Sequence, residues 1–110
     1  MSTNTGTEKL VARTWRGAVR EQDLDAYIQY LHETGFDEYT RTPGNRGLLA
    51  LSRIEDGRAE LLLLTLWESR DAIRAFAGDD IDRAVFYPRD DEFLIDRDER
   101  VLHYNVLLRR

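Results

Sequence analysis

The two histidines are the side chains of this sequence best suited to moving a proton. Imidazole has the ordinary pKa nearest to neutral pH, so a histidine beside a ligand acts as a base when its surroundings permit. His32 follows Ile28 by one helical turn, at the edge of an apolar stripe, and His103 lies among apolar residues near the C-terminus. We take both as candidate catalytic residues. A boundary position half in water is the alternative for His32, and the sequence does not decide which face His103 takes.

Arginine and aromatic side chains supply candidate binding groups. A buried arginine favours an anionic ligand, and an aromatic ring stacks on a planar one. For Arg13 and Arg16, on the predicted first strand, a solvated or ion-paired position is the alternative; Trp67 could instead fix the corner between a strand and a helix. The candidate substrate-binding residues are Trp67, Arg13, Trp15, Tyr39 and Phe76.

Other kinds of site lack their sequence patterns. The chain has no cysteine, which excludes disulfides, thiolate metal sites and a cysteine nucleophile. The acidic clusters at 79–82, 90–92 and 96–99 do not follow the spacing of an EF-hand loop and are typical of solvated turns and helix ends. We therefore predict no metal site and no bound cofactor.

The length and net charge of the sequence limit the classes of protein to which it can belong. A chain of 110 residues forms one domain, and 42% hydrophobic with 34% charged residues is typical of a globular one. The net charge of −5, with no run of basic residues, disfavours a nucleic-acid partner. Because the sequence has no long apolar stretch, we expect no membrane partner either. We expect a cytoplasmic protein with a disordered tail over residues 1–8 and a single domain over 9–110.

The pattern of apolar residues predicts the elements that must position these side chains. Residues 9–17 predict a first strand, and the spacing of Leu24, Tyr27, Ile28 and Leu31 predicts a helix that Asp23 caps. This helix ends or bends near 35, with helical or turn structure continuing towards 42.

The second half begins with a hairpin. Strands at 47–54 and 59–66 flank the turn at 55–58, where Asp-Gly suits a tight hairpin. Ser69 predicts the cap of a second helix that ends at Gly78. A short helical piece around 81–85, a polar loop at 89–92 and a last strand at 101–108 complete the chain. The order is that of an α+β, ferredoxin-like βαββαβ fold, with a four-stranded antiparallel sheet and helices on one face.

The third strand is apolar on both faces. It carries Leu61, Leu62, Leu63, Leu64 and Leu66. Because helices cover one face of such a sheet, the other face needs a second cover. We predict a homodimer through the sheet face; the alternative is that a loop at 89–97 folds over it.

The sequence resembles the antibiotic biosynthesis monooxygenase family of dimeric α+β-barrel proteins. The resemblance covers residues 11–107. It is carried by Ala12-Arg13-Thr14-Trp15-Arg16-Gly17, Thr42-Pro43-Gly44-Asn45-Arg46-Gly47 and Leu64-Thr65-Leu66-Trp67-Glu68-Ser69. It implies a dimer with a ligand cavity between helices and sheet, and either cofactor-free oxidation of phenols to quinones or oxidative degradation of haem.

The haem-degrading members of that family use an asparagine on the first strand, a tryptophan after the third and a histidine on the second helix. Trp67 matches the tryptophan, but no histidine lies between 69 and 85, and Arg13 or Thr14 stands where the asparagine is expected. Haem degradation by those residues is therefore not expected.

The resemblance favours a cofactor-independent monooxygenase that acts on a small aromatic or polyketide-type substrate. The alternative is a non-enzymatic homodimer that binds a small hydrophobic ligand or has a stress-related role.

Overall fold

The computed structural model describes residues 9–110, so the predicted tail at 1–8 lies outside the described residues. The strands are β1 (Val11–Arg20), β2 (Asn45–Glu55), β3 (Arg58–Trp67), β4 (Leu94–Arg97) and β5 (Leu102–Asn105). The helices are α1 (Leu24–Glu33), α2 (Gly35–Arg41), α3 (Arg70–Ala77) and α4 (Asp90–Phe93), and a 3₁₀ turn at Glu21–Asp23 precedes α1.

The strands form one antiparallel sheet in the order β2-β3-β1-β4. β5 also pairs with β1, beside β4, so two short strands share one edge of β1. Gly17–Val19 pair with β4 and Val11–Thr14 pair with β5. This is the predicted ferredoxin-like arrangement, with the fourth strand divided into two pieces.

Local turn and cap chemistry fixes several boundaries. Asp56 and Gly57 both adopt positive φ, 54° and 76°, as a tight hairpin turn requires. The Ser69 hydroxyl accepts a hydrogen bond from the Ala72 backbone N–H and caps α3, as predicted, and Gly78 ends that helix with φ 88°. Asp23 stands at the N-cap position of α1 but caps no backbone N–H; its carboxylate accepts from the Arg20 side chain instead.

The helical piece predicted at 81–85 is absent, and this prediction is wrong. The Ala84 N–H donates to the Glu99 carbonyl, and the Val101 N–H donates to the Asp82 carbonyl. Because these backbone groups pair across the chain in a bridge between Arg83 and Arg100, they are not available for helical bonds.

The predicted polar loop at 89–92 and the predicted last strand at 101–108 also differ from the structure. Residues 90–97 form α4 and β4, and the last strand covers only Leu102–Asn105. The Phe93 ring of α4 packs against Tyr27 and Tyr30 of α1, at centroid distances of 5.3 and 6.0 Å. α4 therefore packs on the helix side of the sheet, and β4 extends the edge of the sheet by pairing with β1.

The two faces of the sheet have different surroundings. Alternate residues of β3, from Ala59 to Trp67, are buried under the helices. The opposite face, here called the leucine face, carries Leu49, Leu51, Leu62, Leu64, Leu66, Leu102 and Tyr104. Leu49, Leu102 and Tyr104 are more than half exposed. The predicted two-sided apolar character of β3 is therefore present, and on its second side Leu62, Leu64 and Leu66 are only half-buried.

Across residues 9–110, the helices are too short and too polar for any of them to cross a membrane.

Candidate functional site

The central strand β1 places Arg13 on the helix face of the sheet. Its neighbours in register are Thr65 on β3 and His103 on β5. Residues paired in this way have Cβ atoms about 5 Å apart, so their side chains are neighbours on the same face. The Arg13 side chain is 2% exposed. A charged group thus lies inside the helix–sheet core.

Aromatic rings from three elements surround this guanidinium. Phe76 of α3 stands in the middle: its ring centroid lies 5.5 Å from Arg13 Cζ, 4.5 Å from the Tyr39 ring and 5.8 Å from the Trp67 ring. The Trp67 indole N–H donates to the Thr65 hydroxyl at 2.8 Å, which fixes the ring. We call Arg13, Tyr39, Trp67, Phe76 and His103 the interior cluster.

His103, on β5, belongs to the interior cluster, and the Asp82 carboxylate contacts its ring at Nδ1. Its Nδ1 lies 3.0 Å from Asp82 Oδ1, and its side chain is 6% exposed. Burial lowers the pKa of His103, and the positive charge of Arg13 lowers it further, against the opposing effect of Asp82. The ring is therefore mostly neutral at pH 7.

Arg13 and His103 each keep one polar atom unused. The Arg13 Nη2 donates to the Arg83 carbonyl at 3.0 Å, and the Tyr39 hydroxyl lies close to the guanidinium. The Nε atom of Arg13 and the Nε2 atom of His103 are buried without a hydrogen-bond partner among residues 9–110. Because nearly all buried polar groups in proteins are paired, we take these two atoms as candidate contacts for a ligand.

A second group of polar residues, Tyr27, Tyr87 and Asp90, lies beside the interior cluster, at the start of α4. The Asp90 carboxylate accepts from the Tyr27 hydroxyl at 3.0 Å and from the Tyr87 backbone N–H at 2.7 Å. Burial raises the pKa of Asp90, while these two hydrogen bonds oppose the rise. Burial likewise raises the pKa of Tyr39, so its hydroxyl stays protonated at neutral pH.

Tyr87 separates an inner cavity from an outer groove. The inner cavity, lined by Trp15, Tyr39 and Tyr87 among others, has about 10 Å³, which is space for one water molecule. The groove between α2 and α3 has about 520 Å³ and is lined by Glu38, Pro43 and Tyr87 among others. The Tyr87 hydroxyl is buried without a hydrogen-bond partner in the described part of the chain.

The structure brings most of the predicted site residues together. Trp67, Arg13, Tyr39, Phe76 and His103 form the interior cluster, and Trp15 lines the adjoining cavity.

His32, the other predicted catalytic residue, is not brought to this cluster. It is exposed, and its ring packs edge-on against Phe36 at 5.2 Å. The turn of α1 that carries Tyr27 and Leu31 into the core leaves His32 on the outer side, so the alternative given for it, a position towards water, describes its place. Arg16 is also exposed, on the leucine face opposite Leu62.

Sequence reasoning missed Asp82, Tyr87 and Asp90. Asp82 and Asp90 lie in acidic clusters that resemble solvated turns. Only the tertiary fold brings Asp82 into contact with His103 on β5 and Asp90 into contact with Tyr27 on α1. A weak signal was available for Tyr87, since it lies in an aromatic pair, Phe86-Tyr87, next to Pro88.

Proteins of known structure superimpose on this chain over nearly its whole length. A protein from Bacillus cereus named as a candidate antibiotic biosynthesis monooxygenase superimposes with a TM-score of 0.65 over 93% of this chain and 97% of its own, at 17% identity. One from Nitrosomonas europaea with the same description gives 0.66 over 97% and 96%, at 15% identity. This chain therefore shares the fold of these two proteins.

The same fold is found in a protein with a different activity. The Mycobacterium tuberculosis haem degrader, solved with two haems in its active site, gives a TM-score of 0.59 over 92% of this chain and 98% of its own, at 18% identity. No protein-family model matches the sequence, and no curated protein matches it. The resemblance noted in the sequence is thus confirmed at the level of the antibiotic biosynthesis monooxygenase fold.

Proposed function

We propose that this protein is a cofactor-independent monooxygenase that acts on a small aromatic or polyketide-type substrate. The observation that carries the proposal is the pair of buried, unpartnered polar atoms, Arg13 Nε and His103 Nε2, among the aromatic rings of Phe76, Trp67 and Tyr39. Aromatic walls suit a planar substrate, and the two polar atoms suit a group that it would present to them.

The reaction class follows from what such a site supplies. When dioxygen converts an electron-rich phenol to a quinone, one oxygen atom becomes the new carbonyl and the other leaves as water. The substrate supplies all the electrons, so no external reductant is required. The protein has to ionise the hydroxyl and hold the anion, because a phenolate gives up an electron far more readily than a phenol.

A substrate would enter from the groove between α2 and α3. Tyr87 lines both the groove and the inner cavity, so movement of its ring would join the two spaces. The described cavity holds one water molecule at most, and binding therefore requires the residues around Tyr87 to open.

The second part of the proposal is a homodimer that pairs two leucine faces. Leu49, Leu51 and Leu102 are about half exposed on one continuous sheet surface. A second copy of the chain would bury the same patch twice in a symmetric interface.

Oxygen uptake with a panel of electron-rich phenols tests the enzymatic proposal. We expect uptake in the presence of a metal chelator, with quinone as the product. His103→Gln should lower the rate roughly a hundredfold or more, as removal of a general base does. His32→Gln is the matched control, because His32 is exposed, and it should leave the rate unchanged.

Two outcomes would contradict this proposal. Uptake that needs His32 as much as His103 would remove the interior cluster from the reaction. An absence of turnover with every phenol, with ligand binding intact, would favour a non-enzymatic dimer that binds a small hydrophobic ligand.

A further inference from the structure

The guanidinium of Arg13 is a buried positive charge without a carboxylate partner. Among residues 9–110 no aspartate or glutamate oxygen lies within ion-pair distance of it; its contacts are a backbone carbonyl, a hydroxyl and the Phe76 ring. Burial lowers the pKa of Arg13, but an arginine stays protonated in proteins. The free Nε–H is therefore a charged donor in a site of low polarity, where an oxygen anion is strongly stabilised.

His103 presents the complementary group. Because a carboxylate only accepts, the Asp82 contact places the proton of the neutral ring on Nδ1. The Nε2 atom is then an unprotonated acceptor, and it is the atom that has no partner. The charged groups that act on this ring are Arg13 on β1, Asp82 on the segment after α3, and Arg70 on α3.

A donor and an acceptor on adjacent strands select the chemistry of a ligand. A carboxylate offers only acceptors, so it would meet the Arg13 donor well but would face the Nε2 lone pair. A methyl ether or a hydrocarbon offers no proton to Nε2. A hydroxyl satisfies both atoms, and a weakly acidic hydroxyl also transfers its proton.

We propose that Arg13 Nε–H and His103 Nε2 together bind the acidic hydroxyl of a phenol or enol, and that Asp82 is a positioning residue for His103. In the transfer, the ligand O–H bond breaks, an Nε2–H bond forms, and the oxygen anion stays on Arg13. Asp82 then faces an imidazolium and balances its charge. No electron is exchanged in this step, so no oxidant is needed. The inference rests on the proposed function only for the place where the ligand binds.

The tautomer of His103 is the first test and needs no ligand. Long-range proton–nitrogen NMR spectra of the native protein at pH 7 should show a neutral ring with its proton on Nδ1. Asp82→Ala should increase the fraction with the proton on Nε2. Asp80→Ala is the matched control, because Asp80 contacts Arg100 and not His103, and it should leave the tautomer unchanged.

Binding of 4-nitrophenol is the second test, since its anion is coloured and its ionisation is read directly. We expect the pKa of the bound probe to lie about one unit below its value in water, a tenfold shift of the equilibrium. Arg13→Gln should weaken binding roughly tenfold or more, and Asp82→Ala should reduce the ionised fraction. The methyl ether 4-nitroanisole and the carboxylate 4-nitrobenzoate should each bind more weakly than 4-nitrophenol.

The outcomes separate this inference from the proposed function. Bound probe that stays neutral, equal binding of 4-nitroanisole, or a native His103 with its proton on Nε2 would overturn the hydroxyl site, even if oxygen uptake is observed. An ionised probe with no oxygen uptake from any phenol would support the hydroxyl site and overturn the monooxygenase. If Arg13→Gln fails to fold, the spectra of the native protein still decide.

Discussion

Asp90 is a buried carboxylate, and among residues 9–110 no arginine, lysine or histidine nitrogen lies within ion-pair distance of it. Tyr27→Phe removes the hydroxyl that donates to it at 3.0 Å and leaves the ring in place. We expect a loss of about 1–3 kcal/mol in the free energy of unfolding at pH 7, because a buried charged acceptor loses a donor. Urea unfolding measures this loss.

The pH dependence of that loss has a defined sign. Burial raises the pKa of Asp90 in the folded protein above the ordinary value of 3.8. As the pH rises through this raised pKa, ionisation of the buried carboxyl group lowers the free energy of unfolding. The Tyr27 hydroxyl opposes this rise because it favours the ionised form. The cost of Tyr27→Phe should therefore be larger at pH 7 than below pH 3.8. Gln29→Ala, an exposed control on the same helix as Tyr27, should change stability by less than about 0.5 kcal/mol at either pH.

The face of the sheet on which a site residue lies was predictable where apolar and polar residues alternate clearly along its strand. Arg13 shares its face with Trp15, and the sequence marks both as candidates. The face of His103 was not predictable, because apolar residues lie on both sides of it and its orientation depends on register with β1. Asp82 was not predictable either, since its contact joins residues 21 positions apart.

At the scale of elements, the loop before β2 packs against the start of α3. Gly44 has φ 92°, and an added Cβ would lie 2.5 Å from the Ala72 Cβ. The Gly44 carbonyl accepts from the Glu68 N–H at 2.9 Å. Two of the segments that carry the family resemblance, 42–47 and 64–69, therefore meet at this contact.

Gly44→Ala should cost more than backbone strain alone. Gly78 has a similar φ of 88° with nothing within 4 Å of an added Cβ, so Gly78→Ala measures the strain by itself. We expect Gly44→Ala to exceed this control by about 1–3 kcal/mol, the usual cost of overpacking, in chemical denaturation. Adding Ala72→Gly should recover part of the excess, and equal costs for the two single variants would contradict the packing account.

Most elements followed from local signals, and the exceptions were decided by distant pairing. The hairpin at 55–58 and the helix from Ser69 to Gly78 carry their own turn and cap residues. The segment at 82–84 has helical spacing but pairs with 99–101, and β4 forms because the edge of β1 is available to it. Local periodicity does not contain this information.

At the scale of the whole molecule, the leucine face predicts association. Light scattering at micromolar concentration should give the mass of two chains. Leu49→Lys places a charge in the proposed interface and should produce monomers or weaken dimerisation by roughly a hundredfold, as a charge buried against apolar side chains does.

Ile54→Lys is the matched control for this variant. Ile54 lies on the same strand and is 51% exposed, against 56% for Leu49, but it stands on the opposite face, in register with Ala59. It should leave the dimer intact. A native protein that is monomeric at micromolar concentration would refute the interface.

A crystal structure of the protein with a bound iodophenol, whose iodine is located by anomalous scattering, tests directly whether the interior cluster binds a phenol. We predict a ring packed against the aromatic side chains of the interior cluster, with its oxygen within hydrogen-bond distance of Arg13 Nε and His103 Nε2. An iodophenol found only in the outer groove or on the leucine face, with the interior cluster closed, would contradict it.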